Sequence, residues 1–358
     1  MKEIKQSSTI SQQNQITTVT GTNLGKTFPE ALIDTLMHFK GNVIIFHHTD
    51  MDGIFSEVLM KYICETNSDV NISLVSYNYE KNMDFSKYFV PDSRTIAISV
   101  DLSLKVKQIM TLASISYRFF IIDHHITTLN FFAYQNELGT YDRMTMDLIM
   151  KKDEKGEFFF FISTESCATK IIYTLFASLW KDVNPRVIEL CDWYDTWKHP
   201  HEPNGEDAVY LNTYMWQSNQ LNSISSLPFN IITASDKDLN SVIESGEILA
   251  SVETTINKLK AAMFGEVVKI KFIGKEYICY RLWGRGNSLS FGSAINKYDI
   301  CIMQSINYQG DLAVSLYTAK SDIDVSKIAQ SFGGGGHKKA AGYIVPKKSD
   351  QLFKGGSK

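Results

Sequence analysis

The stretch GNVIIFHHTDMDG, Gly41–Gly53, runs from an apolar segment straight into two histidines and two aspartates and stops on a glycine. NVIIF reads as a buried strand, and GIFSEVLMKYICE behind it as a helix with Ile54, Val58, Tyr62 and Ile63 as its apolar stripe. A core absorbs such polar density only at high cost, because each buried ionisable group needs a partner. A metal site absorbs it readily. Outward from this stretch the same grammar recurs. VNISLVSY, RTIAISVD and YRFFIIDHH read as three more strands, and two of them end in acid or imidazole: Asp101, then Asp123, His124 and His125. Short apolar strands separated by helical text predict an α/β fold with a parallel sheet covered on both faces. The carboxyl ends of such strands open on one crevice, so clusters far apart in sequence converge there.

Upstream, FPEALIDTLMHF reads as a helix, with Pro29 near its start and Phe28, Leu32, Leu36 and Phe39 on one side. Downstream, SCATKIIYTLFASLW and PRVIELCDWYDTW read as amphipathic helices, and residues 211–262 as mostly helical text. Strand-like text returns in EVVKIKFIG, KEYICYRLW, YDICIMQSINY and DLAVSLYTA. The expected organisation is a flexible arm at 1–25, a catalytic domain at 26–210 and a helical cover and connection at 211–262. A smaller α/β domain at 263–347 and a flexible tail at 348–358 complete it.

At 358 residues and 44% hydrophobic content the chain can build two cores. Cys64, Cys167, Cys191, Cys279 and Cys301 form no Cys-x-x-Cys pair, which argues against a disulfide framework and a thiolate zinc knuckle. No run has the length of a membrane span or a signal-peptide core, so a reducing cytoplasm is the expected setting. The net charge of -3 hides an asymmetry: residues 267–358 hold 14 Lys or Arg against 6 Asp or Glu. That surplus suits a small phosphorylated ligand or a short single strand better than a long duplex.

His48, Asp50 and Asp52 alternate in a turning segment and can converge, with Gly53 allowing a tight turn. Carboxylate with imidazole suits Mn, Fe or Zn better than Ca. The ordinary alternative is a capping aspartate beside a satisfied histidine, and for Asp101 alone a helix cap is the simpler reading. Asp192 and Asp195 stand three residues apart near a helix end, on one side, whereas Trp193 and Trp197 read as packing. In SFGGGGHKKAAG, Gly333, Gly334, Gly335 and Gly336 precede His337, Lys338 and Lys339. Such a run can turn backbone N–H groups toward a phosphate, with the His and Lys adding donors and charge. The GKS or GKT ending of a Walker A loop is absent.

Taken together these pieces resemble the DHH phosphoesterase superfamily, in the branch with a C-terminal DHHA1 domain. Asp123-His124-His125 is the namesake, HTDMDG at 48–53 is similar to the first motif, SVD at 99–101 to the second, and the 192–195 region to the fourth. GGGGHKKAAG at 333–342 resembles the DHHA1 signature, and the resemblance spans roughly residues 40 to 345. It implies that His48, Asp50 and Asp101 hold one divalent metal. It also implies that Asp52, Asp101, His124 and a fourth-motif aspartate hold a second, with Asp101 bridging. Asp192 is preferred over Asp195 for that position. Mn2+ is the implied metal, with Mg2+, Co2+ or Fe2+ as alternatives. His125 is implied to steady the phosphate, Asp123 to orient an imidazole, and the glycine loop to hold a neighbouring phosphate. One departure stands out: where the family often has an arginine before the glycine loop, this chain has Tyr317. Arg281 or Arg285 is the candidate substitute.

The expected activity is hydrolysis of short RNA oligonucleotides or linear dinucleotides to nucleoside monophosphates. Cyclic dinucleotides, 3',5'-bisphosphate nucleotides and RecJ-like exonuclease action on single strands are the alternatives. A catalytically silent nucleotide-binding regulator is the alternative from another class. No membrane partner is expected, and a homodimer is a family expectation.

Overall fold

The structure is a computed structural model, and it describes residues 17–22, 27–77, 83–90, 94–129, 144–152, 156–221, 226–284, 286, 288–307 and 310–347. The chain forms two compact units, residues 1–247 and 248–358.

The first unit is built on a seven-stranded sheet in the order β1-β6-β7-β5-β4-β2-β3. Its strands are β1 (Thr17–Thr22), β2 (Gly41–His47), β3 (Val70–Ser76), β4 (Thr95–Val100), β5 (Arg118–Asp123), β6 (Met144–Lys152) and β7 (Gly156–Ser163). Five of them, β7-β5-β4-β2-β3, run parallel, and β6 is antiparallel to β7. The central strands are apolar on both faces. In β2, Val43 and Ile45 join one core while Ile44 and Phe46 join another on the opposite face. Both faces are covered, as parallel strands require.

Helix α1 (Phe28–Met37) starts at a capping box in which Thr27 N–H donates to Glu30 Oε2 at 2.7 Å. Phe28, Leu32, Leu36 and Phe39 are all buried, as their spacing predicts. Helix α2 (Met51–Cys64) differs from its predicted stripe. Its buried face is Phe55, Leu59, Met60 and Ile63, whereas Ile54 and Val58 are only partly buried and Tyr62 is 37% exposed. The helix packs against other helices as well as the sheet. That contact turns a different arc inward. Part of the expected arm is also a strand: Thr17–Thr22 pairs in parallel register with Met144–Ile149. The remainder of that arm and the expected tail at 348–358 lie outside the described residues.

After β2 the chain crosses to β3 on one side, then returns to lay β4 on the other side of β2. The strand order therefore reverses between β2 and β4, and α/β sheets bind ligands at the carboxyl end of such a reversal. The residues following β2 are His48 to Asp52, and the residue following β4 is Asp101.

The second unit has a six-stranded sheet in the order β12-β13-β11-β10-β9-β8. The strands are β8 (Glu266–Phe272), β9 (Lys275–Trp283), β10 (Ile300–Ile306), β11 (Leu312–Tyr317), β12 (Gly335–Gly336) and β13 (Ala340–Val345). Only β9 and β10 pair in parallel. A helix, Val325–Ser331, covers a core that includes Cys279, Ile300, Ile302, Val314 and Leu316. No helix among the described residues is long and apolar enough to cross a membrane.

Candidate metal centre

The site begins with the turn from β2 into α2. Asp50 is the N-cap of α2, and its Oδ1 accepts the Gly53 N–H at 2.9 Å. Gly53 is needed for closeness: a Cβ there would lie 2.4 Å from the His48 carbonyl oxygen. This tight approach brings the His48 Nδ1 within 2.7 Å of Asp50 Oδ2.

Asp101 follows β4 with a left-handed backbone, φ +54°. That conformation costs a non-glycine residue about 1–2 kcal/mol. It redirects the chain at the strand end, and the Asp101 N–H donates to Ile122 O at 3.0 Å. The carboxylate then stands between two groups. Its Oδ2 lies 3.7 Å from His48 Nδ1 and its Oδ1 lies 3.2 Å from His124 Nε2.

His124 is surrounded by acid. Besides Asp101, its Nε2 lies 3.3 Å from Asp195 Oδ2 and 3.6 Å from Asp52 Oδ2. Asp123 lies beside the cluster and organises it. Its Oδ1 accepts from the His124 N–H at 2.8 Å and pairs with His125 Nδ1 at 2.7 Å. A carboxylate on Nδ1 fixes the imidazole's orientation and tautomer. Among the donor groups this arrangement brings together are His48–Asp50–Asp101 and Asp52–His124–Asp195, each with ligand atoms within 4.8 Å of one another.

The electrostatics match that geometry. Burial pushes Asp101 well above the usual carboxylate range, and the charges of Asp50, Asp52 and Asp195 push it further. Burial also raises Asp195, to about 8, against the opposing pull of His124. Burial would raise Asp123 too, but the charge and hydrogen bond of His125 hold it at about 2. His48 and His124 rise above the ordinary imidazole value, because neighbouring aspartates outweigh their burial. Asp101 Oδ2 and Asp195 Oδ2 are buried with no hydrogen-bond partner among the described residues. Crowded, orphaned carboxylate oxygens beside imidazoles are a donor set that fits divalent cations.

Asp192 stands apart from this cluster. It is fully buried, its Oδ1 accepts the Cys167 N–H at 2.9 Å, and its Oδ2 meets Lys198 at 2.8 Å and Lys170 at 3.2 Å. The placement therefore runs against the sequence preference for Asp192 and brings Asp195 to His124. Both belong to the helix Pro185–Asp195. Asp192 packs onto the start of the helix Ala168–Leu175. The next two amides of that start, Ala168 and Thr169, each donate at 2.8 Å to the two oxygens of Asp52. The start of one helix is thus shared by two aspartates, as orphan amides and the helix dipole favour. Sequence reading missed Lys170, Lys198 and Cys167 as partners, since they come from separate elements and carry no motif.

Residues 42–191 match the DHH family, N-terminal domain. These residues carry a DHH-family N-terminal domain. No curated protein matches this chain. Among solved structures, an uncharacterised protein from Helicobacter pylori G27 is similar at 18% identity and TM-score 0.39, covering 86% of this chain and 94% of that one. The pGpG-specific phosphodiesterase PggH from Vibrio cholerae is similar at 16% identity and TM-score 0.44, covering 86% and 93%. RecJ from Thermus thermophilus, in complex with Mn2+, is similar at 10% identity and TM-score 0.48, covering 88% and 51%.

In the second unit the glycine run has an architectural reading. Gly333, at φ +78°, donates to Gln330 O at 2.9 Å, and Gly334 donates to Ala329 O at 2.9 Å. These two bonds form the Schellman stop of the helix Val325–Ser331. Gly335 and Gly336 then pair with Gly342 and Ala341 as β12. A Cβ on Gly334 would lie 2.0 Å from Gly342 O, and one on Gly336 2.6 Å from Ala341 Cα, whereas one on Gly335 would meet nothing. The His337 N–H donates to Ala340 O at 2.7 Å, and Lys338 is exposed. Arg281 is engaged by Glu266 on β8, with its Nη2 at 2.6 Å, and Arg285 lies outside the described residues. Tyr317 is half-buried on β11 with its ring 5.7 Å from that of Phe291.

Proposed function

We propose that this DHH chain is a two-metal phosphodiesterase that hydrolyses short RNA oligonucleotides or linear dinucleotides to nucleoside monophosphates. The observation that carries the reading is the double position of Asp101, whose two oxygens face His48 and His124 at 3.7 and 3.2 Å. In this reading His48, Asp50 and Asp101 hold one cation, and Asp52, Asp101, His124 and Asp195 hold the other. Mn2+ is the proposed metal. Bound cations of this kind neutralise charge on a scissile phosphate and acidify a water.

The protein's own part is orientation. The amides of Ala168 and Thr169 fix the Asp52 carboxylate, and the left-handed turn at Asp101 fixes its two-sided exposure. Asp123 takes Nδ1 of His125, which sets the ring as a donor to a phosphate oxygen. The basic surplus of residues 267–358 supports an anionic ligand for the proposed DHHA1 domain. Within the glycine run, Gly335 is the position whose openness suits ligand approach. All five cysteines are free and buried, which supports the reducing cytoplasm proposed as the setting.

The test is product formation with Mn2+ over a ladder of 5'-labelled RNA oligomers, with cyclic dinucleotides alongside and Asp101→Ala as the control. Dimers cleaved fastest, with activity fading as length grows and lost in the control, is the expected result. Persistent activity on long strands moves the assignment to an exonuclease. Silence on the whole panel sinks it.

A further inference from the structure

The helix Asp236–Phe264 changes character on its outer side. Leu239, Ile243 and Asn257 are buried along its inner side. On the opposite side Ser241, Glu244 and Ser245 are exposed, as a solvated helix requires. From residue 248 the same side turns apolar and stays exposed: Ile248 by 68%, Val252 by 54%, Ile256 by 45%, Leu259 by 62% and Met263 by 72%. At 100° per residue these five side chains fall in one narrow stripe. A bounded apolar stripe left in water while an asparagine is buried behind it marks an interaction surface.

The sequence of the stripe says what fits it. Val252, Ile256, Leu259 and Met263 follow the four-three-four spacing of a coiled-coil seam. Glu253 and Lys260 stand one heptad apart on the same flank, and among the described residues neither has an ion-pair partner. Ile248 and Thr255 occupy the other flank. In an antiparallel pair of identical helices each flank meets itself, so Glu253 faces Lys260 of the second copy, and the pair forms twice by symmetry. In a parallel pair each flank meets the other, setting Glu253 and Lys260 against Ile248 and Thr255, and no ion pair forms. For two identical helices the charges therefore favour the antiparallel direction.

We propose that the outer face of residues 248–264 is a self-recognition surface, which pairs antiparallel with the same segment of a second copy of this chain. The inference is independent of the activity proposed above. Sedimentation of the full chain over a wide concentration range tests it, with circular dichroism as the check on folding. The wild type sediments as a concentration-dependent dimer. Ile256→Glu, at an exposed position that the fold does not use, shifts it to the monomer mass. Glu253→Lys and Lys260→Glu each weaken the dimer about tenfold, from two pairs turned from attractive to repulsive, and the double substitution restores it. A monomeric wild type overturns the proposal, as does a dimer indifferent to Ile256→Glu. Loss of the dimer in both single charge variants without recovery in the double variant overturns the antiparallel pairing.

Discussion

The polar cluster of the first unit and the glycine run of the second both stood out in the sequence, and the fold treats them differently. Capping of the helix Ala168–Leu175 accounts for Asp52, but no helix cap or turn explains why Asp101, His124 and Asp195 should meet beside it in a largely buried space, with two carboxylate oxygens lacking a hydrogen-bond partner among the described residues. The glycines, by contrast, are largely explained by the chain itself: a helix stop at Gly333 and Gly334, and close strand pairing at Gly336. Buried charge has few reasons to exist beyond chemistry. Glycine has many, since backbone geometry and ligand approach ask for the same missing Cβ. A polar cluster is thus the stronger functional signal.

The largest effect is expected at Asp101. Replacement by alanine removes the group shared by both proposed cation sites, so turnover falls by roughly a thousandfold, and calorimetric Mn2+ binding is lost with it. Retained binding of two metal ions would break the bridging assignment.

Asp192 and Asp195 sharpen the contrast within a single helix. Asp192→Ala leaves Lys170 and Lys198 without their buried partner and uncaps Cys167. It should destabilise the fold by about 3 kcal/mol while the folded fraction still binds metal. Asp195→Ala should do the reverse, weakening metal binding while leaving thermal stability equal or higher. Chemical denaturation and calorimetry on both variants decide it, and a swapped pattern restores Asp192 as the ligand.

Crowding of carboxylates also predicts a pH dependence. Asp195 sits at about 8 against an ordinary value of 3.8, so in metal-free folded protein it keeps a proton that the unfolded chain has released. Stability of the metal-free protein therefore falls as pH rises from about 4 to about 8. Saturating Mn2+ should flatten that slope. Melting curves across this range, with and without metal, check it, and a metal-free protein that gains stability toward pH 8 refutes it.

The glycine run can be divided by substitution. Gly334→Ala and Gly336→Ala meet backbone and should lower stability. Gly335→Ala meets open space and should leave stability within about 1 kcal/mol. If the loop handles phosphate, Gly335→Ala nonetheless raises KM. Unchanged KM leaves the run a purely architectural device.

Much of this was legible because the first unit's alternation of apolar strand and polar terminus is local. β2 to β5 and the convergence at their ends follow from text such as GNVIIFHHTDMDG alone. β6 was not legible, since MTMDLIMKK pairs across to β1 and β7 and its meaning lies in those partners. The same limit explains Asp192. Three residues from Asp195 on one helix, it looks equivalent until Lys170, Lys198 and the Cys167 amide arrive from elsewhere.

The smallest effect expected concerns Trp197, two residues beyond Asp195. Lys198 N–H donates to Trp193 O at 2.9 Å and Trp197 N–H to Tyr194 O at 3.3 Å, the same Schellman stop that glycine serves at Gly333. Here the left-handed position, φ +59°, is held by tryptophan, whose ring lies 5.6 Å from that of His199. Trp197→Gly relieves the backbone and gives up that ring contact. The backbone term is about 1–2 kcal/mol, and the indole is only half-buried, so the variant should melt slightly higher than the wild type. A lower melting temperature means that the packing expected of Trp197 outweighs the strain. Stabilisation accompanied by a raised KM would mean that the indole is kept there for the substrate, extending the contrast between backbone need and ligand need to the edge of the metal centre itself.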